Sequence, residues 1–489
     1  MGLQKILLRQ HVGAPTEPVV SVGDKVQKGT LISKPTGLGA NIFSSVYGTV
    51  KEITEDSIII EKDEEQPEEF VALKGEDKLQ LIKDAGVVGM GGAGFPTGIK
   101  LGTKVKYILV NAAECEPLLH HNVDQMVDNT DMTVKGLKYV MEICEAEKGI
   151  FALKAKNEKA VQALVEGTKG DDSLGIHLLP DIYPMGEERA VVREVLDVLL
   201  QPTDLPSVAD AVVINVETLQ RVAEAIELKK PCFSKHVTVV GKVKDGIEPH
   251  VFMDVPVGTS VKELIDMTGG IDGEYGEVIM GGPFTGKACE LDAPITKTTG
   301  GIIVTKPFED LKGEKMGLLI CACGGNEERM QDIAKKMNAE VVCVQKCKQA
   351  IDVRGNLKCE NPGNCPGQAL KVMNIKKADA KHILIGNCTD CSNTVMGSAP
   401  QMGLEVHHQT DTVLQTVGKD VIRHMTASKK VPQIGEEIVE ETVATPVVEE
   451  IAKVENTVEA VNFESFENDG QLVISIKEGK DIFVEFVIE

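Results

Sequence analysis

The chain has 489 residues, of which 42% are hydrophobic, enough for about three or four domains with buried cores. Only 3% of the residues are aromatic and the formal net charge is -23, a combination that argues against nucleic-acid binding and contact with anionic lipids. The N-terminal apolar run is too short for a signal peptide, and no apolar run approaches the roughly 20 residues that span a bilayer. We therefore expect a cytoplasmic protein without direct membrane insertion.

Residues 1–70 are predicted to form a small β domain followed by an acidic linker. The runs PVVSVGDKV at 18–26 and SSVYGTV at 44–50, with a last strand at 57–60, resemble the barrel-sandwich hybrids of biotinyl and lipoyl carriers. Those carriers attach their group to a hairpin lysine, whereas this chain has GLGANI at 37–42. We therefore expect the scaffold without a carried group.

Residues 71–232 alternate strand-like and helix-like segments, which predicts an α/β domain. Strands are expected at 107–110, 149–153 and 211–215, and helices at 134–146, 157–166 and 187–200. Before the first strand lies GMGGAGFPTGIK at 89–100, a glycine-rich loop whose backbone N–H groups are suited to cradling a phosphate. Glu114 and Glu116 follow the first strand, at the edge where open α/β sheets bind ligands. Taken alone, each feature is as easily an ordinary turn or helix cap.

Four motifs occur in a specific order: the glycine loop, NAAECEP at 111–117, YPMGEE at 183–188 and NVETL at 215–219. Together they resemble the flavin-bearing, NADH-oxidising subunit of respiratory complex I. They resemble the C subunit of the Rnf electron-transport complex still more closely, over roughly residues 1–305. Within this span, residues 233–305 resemble the β-grasp modules of the same families, on the stretch VPVGTSVKELI at 255–265.

The resemblance implies a site for FMN and NADH. FMN would be held by Gly89, Gly91, Gly92, Lys100, Asn111, Glu114, Gly186, Glu187 and Asn215. The dinucleotide would be faced by Ala93, Phe95, Glu116, Tyr183 and Glu188. Carboxylates of Glu116 and Glu188 on ribose hydroxyls would favour NADH over NADPH, because they would repel a 2′-phosphate. Met90 and Ala113 depart from the complex I pattern, which has a basic and an acidic residue there.

Residues 306–430 are predicted to form a cysteine-rich α/β domain. It holds eight of the chain's twelve cysteines: Cys321, Cys323, Cys343, Cys347, Cys359, Cys365, Cys388 and Cys391. Strands predicted at 317–320, 340–342 and 382–385 end at or just before a cysteine, and helices are expected at 327–337 and 368–373. Because the carboxyl ends of parallel strands share one edge, these thiols should converge. All but Cys359 are assigned redox roles, and Cys144, Cys232 and Cys289 are predicted to be core residues.

Three interpretations of the converging thiols are open. Cys388 and Cys391 have the C-x-x-C spacing of a redox-active dithiol. An iron–sulfur site is compatible with the spacings, although the ferredoxin motifs of the Rnf C subunit are missing. A structural zinc site is the third, and inert buried thiols remain as well. Cys365 is set apart by NPGNCPG at 361–367, which predicts a rigid, exposed loop.

A flavin module followed by such a cysteine domain resembles the electron-transfer protein associated with D-proline reductase in amino-acid-fermenting anaerobes. Some members of that family have selenocysteine where Cys365 stands. The resemblance implies an NADH-dependent oxidoreductase that passes electrons through FMN and the cysteines to a partner reductase. A non-catalytic adaptor that scaffolds a reductase complex is the alternative, favoured by Met90 and Ala113.

The composition changes after residue 430. Residues 431–468 are rich in Glu and Val and are predicted to be a flexible acidic linker. Residues 469–489 are predicted to be a β-hairpin with strands at 471–476 and 481–488. No function is predicted for this tail.

Overall fold

The computed structural model describes residues 2–386, 388–423 and 431–434, and the backbone of strands at 463–468, 471–476 and 485–486. For Asp390 and Cys391 only the backbone is described. The chain divides into two compact units, Met1–Glu436 and Glu437–Glu489. Within the described residues, no helix combines the length and the apolar character needed to cross a bilayer.

Short β-strands build the first region around one apolar core. The strands are β1 (Leu3–Leu7), β2 (Thr16–Pro18), β3 (Lys25–Val26), β4 (Leu31–Pro35), β5 (Ile42–Phe43), β6 (Gly48–Ile53) and β7 (Ser57–Lys62). They form two antiparallel sheets, in the orders β1–β7–β6–β3 and β2–β4–β5. Ile6, Ile32, Ile58 and Ile60 are fully buried between them, because alternate residues of a strand face the same side.

The next region has a parallel sheet of strands β8 (Tyr107–Asn111), β9 (Lys148–Lys154), β10 (Leu174–Leu179) and β11 (Ala211–Asn215), in the order β10–β9–β8–β11. Its helices are α1 (Lys78–Asp84), α2 (Thr97–Lys100), α3 (His121–Asp128), α4 (Thr130–Cys144), α5 (Glu158–Thr168), α6 (Glu188–Leu196) and α7 (Val216–Glu227), with a 3-10 turn at Pro206–Ala209. Ile108 and Val110 pack into one core and Leu109 into another, because helices cover both faces.

Single side chains or backbone conformations set one end of helices α6 and α7. Helix α6 ends at Leu196, short of residue 200, because Asp197 takes a left-handed backbone conformation with φ of 55°. Helix α7 was not predicted. The Asn215 side chain starts it by accepting the backbone N–H groups of Glu217 and Thr218.

A mixed five-stranded sheet follows. Its elements are β12 (Ser234–Gly241), β13 (His250–Pro256), α8 (Val261–Met267), β14 (Val278–Met280), β15 (Lys287–Ala288) and β16 (Gly301–Val304). The strand order is β13–β12–β16–β14–β15. Buried Lys297, just before β16, donates to the backbone oxygens of Asn41 and Gly86 at 2.7 Å each, so this region is tied to the two before it.

The cysteine-rich region has a second parallel sheet, formed by β17 (Lys315–Ile320), β18 (Glu340–Lys346), β21 (His382–Ile385) and β22 (Glu405–His408) in the order β18–β17–β21–β22. A hairpin of β19 (Ala350–Val353) and β20 (Asn356–Cys359) leaves this sheet after β18. The helices are α9 (Glu327–Lys336), α10 (Ala369–Lys377), α11 (Thr389–Met396) and α12 (Asp411–Thr416), with a 3-10 turn at Pro400–Met402.

The described residues of the second unit form three strands, β23 (Phe463–Asn468), β24 (Gln471–Ile476) and β25 (Glu485–Phe486), paired antiparallel. Strands β24 and β25 fall within the predicted hairpin. Strand β23 falls in the segment predicted as linker, and that prediction is wrong for 463–468, because FESFEN pairs with β24 along its whole length.

Candidate functional site

Two asparagines end adjacent strands of the first parallel sheet. Asn111 closes β8 and Asn215 closes β11, and the two are partners in the parallel register. Asn111 Nδ2 donates to Gly186 O at 2.8 Å, and Asn111 Oδ1 accepts from Ala113 N–H at 3.2 Å. This is the carboxyl edge of the sheet, where open α/β folds bind ligands.

The glycine loop lies against this edge. Met90 N–H donates to Thr218 Oγ1 at 3.0 Å, which fixes the loop on the start of α7. A Cβ at Gly91 would lie 2.5 Å from Asn215 Nδ2, so any side chain there would clash. A Cβ at Gly92 would meet no atom within 4 Å. The loop thus brings bare backbone to the edge of an open space.

Buried polar side chains form the next part of the wall. Glu114 Oε2 accepts from Asn122 N–H at 3.2 Å and lies 3.9 Å from His121 Nδ1. Burial raises the pKa of Glu114 and holds the pKa of His121 well below its ordinary value. Asn122 Oδ1 is buried and has no hydrogen-bond partner among the described residues. Because an unpaired buried acceptor costs about 1–3 kcal/mol, a ligand that donates to it would be stabilised.

Glu116 and Tyr183 are held by the loop after β14. Glu116 accepts the N–H groups of Phe284 at 2.7 Å and Thr285 at 2.9 Å, and the Thr285 hydroxyl at 2.6 Å. Burial raises the pKa of Glu116, and these hydrogen bonds oppose that shift. The Tyr183 ring stacks on Phe284 with centroids 3.7 Å apart. The Glu116 carboxylate, predicted to accept ribose hydroxyls, therefore already accepts three hydrogen bonds from the protein.

The start of α6 joins the two parallel-sheet regions. Glu187 caps the helix, and Arg189 Nε donates to Glu187 Oε1 at 2.9 Å. The same guanidinium donates through Nη1 to Cys359 O at 2.6 Å. Glu188 forms an ion pair with Lys100 on the surface. One buried arginine thus connects the flavin-motif region to the cysteine-rich region.

These walls enclose a cavity of about 540 Å³, within the size range of small-molecule sites. Predicted site residues that line it are Gly91, Gly92, Ala93, Asn111, Glu114, Glu116, Tyr183, Gly186, Glu187, Asn215 and Cys323. The other predicted nucleotide residues, Gly89, Phe95, Lys100 and Glu188, lie outside this lining. Cys359 lines the same cavity, so glycine backbone and thiols face one enclosed space.

A cluster of thiols lies beside the cavity. Cys321 and Cys347 directly follow β17 and β18, Cys388 comes shortly after β21, and each of the three is at most 4% exposed. They pack with Tyr183 and Phe284 in one cluster. Cys115, Cys323 and Cys365 pack against it. Thiols separated by up to 67 positions in this domain therefore meet at one sheet edge, as the strand positions predicted.

Hydrogen bonds between thiols shift the pKa values of two cysteines in opposite directions. Hydrogen bonding to Cys321 and to Cys359, together with burial, raises the pKa of Cys323 well above its ordinary value. The hydrogen bond from Cys323 lowers the pKa of Cys359. Gln368 Nε2 donates to Cys347 Sγ at 3.1 Å and to a second thiol of the cluster. Cys359 is therefore the thiol at the cavity wall that is poised to ionise.

Three other cysteine predictions have different outcomes. Cys343 was expected at a strand end, and this is wrong: β18 continues to Lys346, and Cys343 packs against a different hydrophobic core. Cys365 was expected on an exposed loop, but it is half-buried, and its sulfur lies 3.1 Å from Thr394 Oγ1. The side chain of Cys391 lies outside the described residues. Of the predicted core cysteines, Cys144 and Cys232 are buried and Cys289 is half-buried.

Several site residues were missed from the sequence. His121 and Asn122 follow the NAAECEP motif by four and five positions, and their pairing with Glu114 gives no local signal. Phe284 contacts the site only because a loop of another sheet folds over Glu116. Cys359 could have been identified by its position at a hairpin end among the other thiols.

The residues at the cavity fit the FMN that the motifs imply. Gly92 presents backbone to open space, where a phosphate can approach closely. Asn215, whose Nδ2 lies against the loop, and the unpaired Asn122 Oδ1 supply a polar group on each side of that space. Cationic Lys358 also belongs to the lining. These residues would hold the group by hydrogen bonds and backbone contact.

Two domain families match parts of this chain. Residues 4–68 match the RnfC barrel-sandwich hybrid domain family, which confirms the predicted N-terminal scaffold. Residues 82–224 match the Nuo51 FMN-binding domain family, which confirms the predicted flavin domain. A crystal structure of an NAD+-reducing [NiFe]-hydrogenase in the air-oxidized state aligns at a TM-score of 0.40 and 23% identity, covering 47% of this chain and 46% of its own.

Several characterised proteins match this chain over a longer stretch. The C subunit of the proton-translocating ferredoxin:NAD(+) oxidoreductase complex of Clostridium ljungdahlii is 35% identical, over 65% of this chain and 73% of its own length. The cobalamin reductase PduS of Salmonella typhimurium is 32% identical, over 66% of this chain and 67% of its own. The C subunit of the Na(+)-translocating complex of Acetobacterium woodii is 31% identical, over 60% and 71%. With this identity over more than two thirds of such a relative, and with both domain families matched in order, the chain belongs to the family of C subunits of Rnf-type ferredoxin:NAD+ oxidoreductases.

Proposed function

We propose that this protein is an electron-transfer flavoprotein that takes electrons from NADH through FMN to its cysteine cluster, and from there to a partner reductase. The observation that carries this proposal is the shared cavity: Gly92 and Asn111 of the flavin-motif region line the same space as Cys323 and Cys359. A redox group bound there would lie next to thiols without any domain movement.

The chain's own residues have three tasks in this proposal. Gly91 and Gly92 allow close backbone approach, and Asn215 and Asn122 orient the bound group. Glu116 closes the cavity by holding the loop at Phe284. FMN, when bound, supplies hydride acceptance and electron release, while the protein supplies placement and electrostatics.

On the thiol side we favour a dithiol at Cys323 and Cys359, because these two thiols are hydrogen-bonded to each other at the cavity. Reduction of a disulfide between them consumes NADH and one proton and yields NAD+ and two thiols. An iron–sulfur cluster is the second candidate, favoured by the joint burial of Cys321, Cys347 and Cys388, since a cluster needs thiolates around one small volume.

Met90 and Ala113 give little support to the alternative hypothesis of a non-catalytic adaptor. Their side chains are 1% and 0% exposed and pack in hydrophobic cores, while the polar lining of the cavity is present. For the electron acceptor we propose a reductase of the D-proline reductase type in the cytoplasm. A formal net charge of -23 suits docking to a basic surface on such a partner.

The test is an anaerobic visible absorption spectrum of the purified full chain, before and after NADH. We expect flavin bands that bleach with NADH, and additional alkylatable thiols after NADH is added to the oxidised protein. Broad absorption beyond the flavin bands would favour the iron–sulfur candidate over the dithiol. A colourless protein that also fails to bind added FMN would contradict the proposal and leave the adaptor.

A further inference from the structure

A second cluster of potential ligands lies at the opposite edge of the cysteine-rich sheet. His382 begins β21 and Glu405 begins β22, whereas Cys388 follows the other end of β21. His382 and Glu405 are partners in the parallel register, and His407 is two residues further along β22. Because side chains alternate along a strand, all three lie on one face of the sheet. The thiols therefore take no part in this cluster.

The ligand atoms of the three side chains converge. His382 Nδ1 lies 3.0 Å from His407 Nε2 and 3.5 Å from Glu405 Oε2. All three ligand atoms lie within 4.8 Å of one another. Zinc binds imidazole nitrogen at about 2.0–2.1 Å, so two nitrogens on a tetrahedral ion lie about 3.3 Å apart. The observed separations match that spacing.

A fourth side chain fixes the tautomer of His382. Its Nε2 lies 2.7 Å from Glu314 Oε2, in the turn before β17. Lys381 Nζ donates to Glu314 Oε1 at 2.6 Å, so this carboxylate is paired with a cation and its other oxygen accepts a hydrogen bond from Nε2–H of His382. The lone pair of His382 is then at Nδ1, facing His407. A carboxylate that orients a histidine in this way is the usual outer partner of a metal ligand.

The two imidazoles are suited to a cation between them. Both are buried, at 4% and 7% exposure, while Glu405 reaches solvent. His407 also lines a cavity of about 390 Å³.

We propose that His382, His407 and Glu405 bind a divalent transition metal of the zinc type, with Glu314 orienting His382. Two imidazoles and a carboxylate are a donor set that zinc accepts, with water in the remaining position. The ion joins β21 to β22, and the Glu314–His382 hydrogen bond connects it to the turn before β17, so its role is to stabilise the edge of the sheet away from the thiols. This site does not depend on the proposed electron transfer.

Metal binding is tested on the full chain, stripped with a chelator and titrated with Zn²⁺ or Co²⁺. Zinc content and thermal melting are measured for the wild type and for His407→Asn, Glu405→Gln and Glu314→Gln. The matched control is Glu340→Gln, which removes an exposed carboxylate at the start of neighbouring β18. Because thiolates are zinc ligands as well, the variants are compared with the wild type and only the differences are interpreted.

We expect the wild type and Glu340→Gln to bind one zinc equivalent more than His407→Asn, and to melt higher with zinc. Glu314→Gln should lower the affinity for that zinc ion about 10–100-fold, as expected when a residue that orients a metal ligand is changed. The Co²⁺ absorption that the wild type shows and His407→Asn does not should contain no thiolate charge-transfer band. Equal zinc content in all variants, or a lost band of thiolate type, would place the metal on cysteines and overturn the proposal. If all the bound zinc is on the thiols, the two histidines form only a hydrogen-bonded pair, and the proposal is overturned as well.

Discussion

The two parallel sheets of this protein use the same edge for different chemistry. Strands β8 and β11 end in Asn111 and Asn215, and the glycine loop that precedes β8 lies against this edge. Strands β17 and β18 end before Cys321 and Cys347, which are followed by tight loops and a hairpin. The first edge therefore presents amides and bare backbone, and the second presents thiols. The common topology decides where a site forms, and the residues after each strand decide what the site can do.

Side-chain contacts join the two edges. Arg189 bonds Glu187 on one side and the Cys359 carbonyl on the other. Tyr183 stacks on Phe284, whose carbonyl accepts from Gln409 after β22. Because these contacts are specific, it should be possible to disable one edge and leave the other working.

The largest effect is expected from Gly92→Val at the first edge. A side chain there projects into open space, so the fold should be kept while the bound group is displaced. We expect FMN affinity to fall by at least about tenfold, which a loss of about 1.4 kcal/mol produces. FMN retention after gel filtration, together with the melting temperature, checks this.

Gly37→Val is the matched control, because a Cβ at Gly37 also meets no atom within 4 Å and the residue is not part of the cavity lining. It should retain FMN and melt like the wild type. Equal FMN retention in both variants would mean that the glycine loop does not face the flavin.

At the second edge, Cys388→Ser should block the relay but spare the first edge. Cys388 is the N-cap of α11, a position that serine fills well, so the helix should start normally. We expect NADH to reduce the flavin at an unchanged rate, while electron transfer from the reduced protein to the partner reductase falls to background. Stopped-flow absorbance of the flavin, recorded without and with the partner reductase, measures the two steps separately.

Cys289→Ser, a half-buried cysteine of the third region, should leave both steps intact. If Cys388→Ser also loses flavin reduction, the two edges do not act as separate steps. If it loses nothing, Cys388 is not part of the relay.

A smaller effect concerns thiol acidity. The hydrogen bond from Cys323 lowers the pKa of Cys359, whereas burial raises the pKa of Cys289 to about 11. Because only thiolates react, half-maximal iodoacetamide labelling of Cys359 should occur at a lower pH than that of an ordinary free thiol. Labelling of Cys289 should need a more alkaline pH. Cys323→Ala should move the Cys359 profile upward, and an unmoved profile would remove the hydrogen bond from the explanation.

The smallest effect is expected at Glu188, on the rim of the first edge. NADH should react faster than NADPH, and Glu188→Gln should narrow the ratio about two- to fivefold, the range of an exposed ion pair. The change removes a repelling carboxylate and releases Lys100 to attract a 2′-phosphate. The ratio of the NADH rate to the NADPH rate is measured by steady-state reduction of an artificial acceptor. The control is Glu158→Gln, which changes an exposed residue at the start of α5. An unchanged ratio would exclude Glu188 from nucleotide choice.

Local sequence patterns determined much of the fold. Strand β11 and the start of β8 were predicted to the residue. Short continuous apolar runs such as YILV and AVVIN are typical of strands that are buried on both faces of a sheet. The motif order identified the flavin domain, and the strand-to-cysteine spacing predicted that distant thiols would meet. Where a single residue decided the boundary, as Asp197 does for α6, the pattern was not sufficient.

Tertiary structure alone decided how the two edges meet. Nothing local in the sequence indicates that Glu116 accepts hydrogen bonds from the loop at Phe284, or that Arg189 reaches Cys359, because the partners are 168 and 170 positions apart. The same holds for His382 and Glu314, 68 positions apart, which face each other only once β21 lies beside β17. A hydrogen bond between distant residues leaves no periodic pattern in the sequence. The positions of the glycine backbone, the thiols and the histidine pair relative to one another are therefore known only from the folded chain.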